Sequence, residues 1–146
     1  MRRYGVPMVE PDGYVLLPFR SIDALLQPHR YLPEGMHIVR DADEWARLWT
    51  RTDSRAPSEA PELAVSWQAE MCVVVSLGRR SNGGHFVVID MIGIFEGVLT
   101  VRAWEIRPGP GCGYTRDVTS PFHAVAVPAH PGDGRLAMRI AYENCE

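Results

Sequence analysis

The chain has no lysine: all fifteen basic residues are arginines. No Schiff base and no P-loop lysine can come from it, so mechanisms built on either are excluded. Charge of one sign is also scarce. A formal net charge of −3 offers no polybasic face for a phosphate backbone, and nucleic acid is not an expected partner. No apolar run approaches the roughly 18 residues of a membrane span. The opening Met1-Arg2-Arg3-Tyr4-Gly5-Val6-Pro7 lacks the apolar stretch of a secretory leader. The chain as read is therefore expected in the cytoplasm, with export alongside a partner or after loss of a leader as the alternative. Three cysteines are too few and too far apart for a disulfide scaffold or a four-ligand zinc site. Cys72 sits in an apolar run and reads as a buried thiol. Whether Cys112 and Cys145 pair under oxidising conditions is left open.

What is present fits a single domain spanning residues 1–146, with roughly residues 1–18 as an extension or edge segment. The organising stretch begins at Arg79-Arg80-Ser81-Asn82-Gly83-Gly84-His85-Phe86. Asn82, Gly83 and Gly84 tolerate the positive φ of a tight turn. Apolar runs at residues 71–77 and 85–94 flank it, so the pattern predicts a hairpin. Further strands are expected at residues 98–106, 122–128 and 135–142, with a short one at 36–39 and weak pairing at 13–20 and 114–118. Within residues 98–106, Val101, Ala103 and Glu105 share one face and Arg102, Trp104 and Ile106 the other.

One helix stands out, over residues 42–51. Asp41 is its N-cap, Glu44 its capping-box partner, and Trp45, Leu48 and Trp49 form one stripe suited to packing on a sheet. A single helical turn is expected at residues 22–26, and residues 52–63, with Pro57 and Pro61, read as a surface loop. The expected class is α+β, mainly β: a bent antiparallel sheet or small barrel-like sheet with one principal helix.

Four patterns then recur in order: Glu44-Trp45 with Leu48-Trp49; Gly83-Gly84 after Leu77-Gly78; Pro108-Gly109-Pro110-Gly111-Cys112; and Thr119-Ser120-Pro121-Phe122-His123 before Val125, Val127 and Pro128. In that order and spacing, over roughly residues 19–128, the chain resembles the PrcB-like family. That family is the C-terminal domain of an accessory protein that associates with and stabilises a secreted subtilisin-type protease complex. The resemblance implies a small β-rich binding module, not an enzyme, with a protein partner or larger assembly and no cofactor.

His85, Cys112 and His123 all stand near glycine or proline turns; a thiol with a nearby imidazole suits a nucleophile, and Cys with two His suits an open zinc site. The plainer reading has Cys112 bracing a loop and His123 bonding to backbone. It is preferred because no third orienting group or diagnostic spacing is present. Asp90, Glu96, Glu105 and Asp117 read as carboxylates of solvated strand faces and turns, and Arg79, Arg80, Arg107 and Arg116 as a scattered solvated set. The expected function is a non-enzymatic interaction module that binds and stabilises a partner. Its expected contact residues are Asn82, Gly83, Gly84, His85, Phe86, Arg107, Pro110 and Tyr114, carried on rigid glycine and proline loops. The alternatives are a loop-wedge protease inhibitor and a Cys/His-dependent enzyme or metal-binding protein. Self-association through an edge strand is a further expectation.

Overall fold

The computed structural model describes residues 13–22, 32–50 and 60–145. In chain order these hold β1 (Val15–Leu16), β2 (Arg20–Ser21), β3 (Gly35–Val39), α1 (Ala42–Thr50), β4 (Glu70–Ser76), β5 (Phe86–Phe95), β6 (Val98–Pro108), β7 (Phe122–Pro128) and β8 (Gly134–Glu143). The mainly-β α+β class with one principal helix is observed. Its strands divide into two four-stranded sheets with no closed barrel: a first sheet in the order β1-β5-β6-β8 and a second in the order β2-β7-β4-β3.

The apolar run Met71-Cys72-Val73-Val74-Val75 shows no alternation because both faces of β4 are covered. Met71, Val73 and Val75 pack with Val125, Val127, Ile89, Ile92, Leu99 and Val101 between the sheets. Cys72 and Val74 pack with Val39, Trp45, Leu48, Trp49 and Ala124 under α1. The result is three layers, with the second sheet in the middle.

The helix starts where its cap says. Asp41 Oδ1 accepts the Glu44 N–H at 2.7 Å, and Glu44 Oε2 accepts the N–H of Arg40 at 3.1 Å, one residue before the position a capping box specifies. Trp45, Leu48 and Trp49 are buried along one stripe, and Trp45 Nε1–H donates to the Pro61 carbonyl at 2.8 Å. Their role is core packing.

Three expectations about connection are corrected. Residues 71–77 and 85–94 do not form a hairpin, because β4 lies in the second sheet and β5 in the first; residues 77–85 carry the chain across the sandwich. Nor is the sheet wholly antiparallel, because β8 breaks that pattern. It runs parallel to β6 in the first sheet, from Leu99↔Gly134 to Pro108↔Glu143. Residues 114–118 form no strand and leave an isolated bridge between Arg80 and Thr119. A two-residue hairpin does join β5 to β6, with Glu96 at φ 51° and Gly97 at φ 80°, as a turn with positive φ at both central positions requires. The weak pairing near residues 13–20 is observed as two short edge strands, β1 on β5 and β2 on β7. The helical turn over residues 22–26 and the loop over 52–63 fall mostly outside the described residues, as does the segment 1–12.

The β5–β6 ladder slips between Ile89 and Met91, leaving Asp90 as the extra residue of a bulge. Its carboxylate accepts Arg102 Nε–H at 3.0 Å and Trp104 Nε1–H at 2.9 Å on the outer face. The Ile89 N–H is taken across the sandwich by His123 Nδ1 at 2.9 Å.

Candidate functional site

The loop after β4 and the loop after β6 meet at one end of the sandwich and are hydrogen-bonded into a single arch. Gly83 N–H donates to the Thr115 carbonyl at 2.9 Å, and Arg80 and Thr119 exchange backbone bonds at 2.8 and 2.9 Å. Thr119 Oγ1–H donates to the Asn82 carbonyl at 2.8 Å, and Asn82 Oδ1 accepts the Gly84 N–H at 2.9 Å. The glycines serve close approach, not turn conformation. Neither Gly83 nor Gly84 has positive φ, which corrects the reason given for them from sequence. A Cβ on Gly83 would strike Thr115 Oγ1, and one on Gly84 would lie 2.9 Å from Pro108 Cγ and 3.0 Å from Tyr114 Cβ.

Beneath the arch sits Glu105, 5% exposed on the inner face of β6. Arg80 grips it with both ends of its fork, Nε to Oε2 at 3.2 Å and a terminal nitrogen to Oε1 at 3.0 Å. Arg107 Nε adds a bond to Oε2 at 3.0 Å. Burial alone would push the Glu105 carboxyl up, but the bonds from Arg80 and Arg107 and their positive charge outweigh it, and its pKa falls from 4.5 to about 2. The Arg107 guanidinium is in turn pushed further up by its bond to Glu105 and by one to Tyr142. Arg80 also donates to the carbonyls of Leu77 at 2.7 Å and Arg79 at 3.0 Å, so one side chain ties the crossing loop to β6. Glu105 is thus no solvated carboxylate, and Arg80 and Arg107 are not part of a scattered solvated set, because β6 turns this face toward the sandwich interior.

A second tie closes the other side. Cys112 and Cys145 are joined by a disulfide, with Cα atoms 5.1 Å apart, linking the loop after β6 to the chain just beyond β8. Gly109 lies against the Glu143 carbonyl with no space for a Cβ.

The eight expected contact residues are gathered at this end but present themselves unequally. Gly83, Pro110 and Tyr114 are exposed, Tyr114 at 55%; Asn82, Gly84, His85, Phe86 and Arg107 are half-buried. His85 turns inward, Nδ1 lying 3.4 Å from Glu105 Oε2, whereas Phe86 starts the opposite, outer face of β5. Val118 in the same loop is also exposed, at 50%, and was not among the expected contact residues.

The Cys/His grouping expected as the alternative chemistry is otherwise engaged. The Cys112 sulfur is bonded to Cys145. His123 is buried; with the Ile89 N–H on Nδ1, its proton sits on Nε2 and points to Ser21 Oγ at 2.7 Å. Among the described residues one grouping has metal-ligand character, Cys112, Glu143 and Cys145, and its two sulfurs are bonded to each other.

The arch and the strands that carry it lie within one recognisable segment. Residues 71–128 match the family described as PrcB C-terminal. This PrcB-like segment takes in β4 to β7 and both loops of the arch, so the resemblance read from sequence is shown there. The tryptophan pattern of α1 and the strands β3 and β8 lie outside it. No curated protein and no solved structure matches the chain significantly.

Proposed function

We propose that this chain is an interaction module that binds and stabilises a partner protein or a multi-subunit complex, with a protease complex as the partner class, and that it acts by surface contact without catalysing a reaction. The observation that carries the reading is the arch: two loops of the PrcB-like segment locked together over the buried Glu105 and the half-buried Arg80 and Arg107 that grip it, with Tyr114 and Val118 exposed. Loops ordered before binding lose little entropy when a partner arrives, and a rigid tyrosine supplies contact area at low cost. The PrcB-like family match supports a protein partner. The Cys112–Cys145 bond supports a working place in an oxidising compartment, where disulfides persist, in place of the cytoplasm expected from the sequence.

Tagged wild-type chain and the Tyr114→Ala, Val118→Ser double variant, purified gently from the native source, test this. The wild type is expected to bring down a protease or complex in near-stoichiometric yield and the variant about tenfold less, as loss of a central aromatic contact implies. Loss of the chain should shorten the partner's lifetime. Equal recovery by both forms would remove the arch as the contact surface.

A further inference from the structure

β8 is the outermost strand of the first sheet, and among the described residues nothing pairs with its other edge. The strand spans Gly134–Glu143, whereas β1, at the opposite edge of the same sheet, spans Val15–Leu16. Long open edges invite another strand unless charge or a bulge blunts them. The inner face of β8 changes along its length. Leu136 packs on the core between the sheets, but Met138, Ile140 and Tyr142, on the same face, are 39%, 50% and 64% exposed.

The outer face carries Arg135 near one end, Arg139 in the middle and Glu143 at the other end. Neither the Arg135 guanidinium nor the Glu143 carboxylate makes an ion pair among the described residues, and both are exposed. Arg139 lies over the Trp104 ring, 5.9 Å from its centroid.

We propose that β8 is a self-association edge: two copies of the chain pair their β8 strands antiparallel about a twofold axis at Arg139. That register sets Arg135 of each copy opposite Glu143 of the other, giving two ion pairs from groups that have none among the described residues. On the inner face it sets Leu136 opposite Tyr142 and Met138 opposite Ile140, so the exposed stripe becomes cross-strand apolar pairs. Residues 135–143 of each strand stay opposed. The neighbouring registers are worse. An axis at Met138 sets Glu143 opposite Asp133, and one at Ala137 sets Arg135 opposite Arg139, so like charges meet in both. An axis at Ile140 leaves Arg135 opposite Cys145 with no ion pair, and one at Ala141 keeps only residues 139–143 opposed. In the chosen register Arg139 faces its own symmetry mate, and its attraction to Trp104 draws the guanidinium away from the axis. The two arches then lie at opposite ends of the dimer.

Sedimentation equilibrium of the disulfide-intact chain at about 1 to 100 μM tests the proposal over the range of modest self-affinity. A concentration-dependent dimer is expected. Arg135→Glu and Glu143→Arg should each weaken it about tenfold or more, and the double swap should restore it to within about threefold, because charges that repel in either single variant attract again in the double. Arg139→Cys should form a disulfide between copies on mild oxidation, since directly opposed antiparallel residues lie within disulfide reach. A monomer throughout the range, together with no crosslink at Cys-substituted Arg139, would overturn the proposal. So would a dimer indifferent to the charge swaps.

Discussion

Glu105 keeps a negative charge at a nearly covered position, and its three bonds from Arg80 and Arg107 explain why it can. Burial by itself raises the pKa of a carboxyl so placed; with these partners the pKa falls to about 2. The folded value lies below the ordinary 4.5, so the associated stability is fully present above about pH 4.5 and is lost as pH falls toward 2. The displacement corresponds to about 3 kcal/mol. Glu105→Gln is therefore expected to lower the urea unfolding free energy by about that amount at pH 7, with the gap to wild type closing as the solution is acidified through pH 4 to pH 2. A gap that stayed constant with pH would separate the group's contribution from its charge. None of this was legible from residue 105 alone. Alternation along residues 98–106 assigned Glu105 to the face of Val101 and Ala103, but a strand read in isolation does not say which face is inner, nor that Arg80 arrives from a loop twenty-five residues away.

The elements themselves were largely readable. Asp41 with Glu44 marks a helix start because both bonds are local, and the α1 stripe declares its buried side. Strand positions followed from apolar runs and turn residues for the same reason. Which sheet each strand joins did not follow, because the crossing from β4 to β5 and the parallel docking of β8 depend on partners distant in sequence. The two candidate loops do adjoin, yet the reason for their glycines differs: the space a Cβ would need is filled by Thr115 beside Gly83 and by Pro108 and Tyr114 beside Gly84. The disulfide acts at this same scale by fastening the end of β8 to the arch. Closing a loop between residues 33 apart in sequence restricts the unfolded chain by roughly 3 to 4 kcal/mol in the chain-entropy account. Cys145→Ser is expected to lower the melting temperature by several degrees and to raise hydrogen exchange selectively in β8 and residues 109–113. Uniform exchange across the molecule would show that the bond has no local role.

For the molecule as a whole, the middle sheet belongs to two cores at once. β4 gives Met71, Val73 and Val75 to the core between the sheets and Cys72 and Val74 to the core under α1. Neither core can be lost while the other stays intact. Leu48→Ala, on the helix side, is expected to cost about 2 to 5 kcal/mol. Loss of tryptophan fluorescence and loss of far-ultraviolet dichroism should shift together in a single transition. Separate transitions would mean that the helix layer unfolds independently.

The parallel pairing of β6 with β8 also sets the order in which a newly made chain completes itself. β8 follows every other described strand, so during synthesis β6 emerges and pairs with β5 while its far edge waits bare for residues 134–143. Parallel partners cannot close as a hairpin, and Cys112 has no mate until residue 145 appears. A chain interrupted before residue 134 therefore leaves the edge of β6 bare and the Cys112 thiol unpaired, and the thiol is a mark by which quality-control machinery can tell an unfinished copy from a finished one.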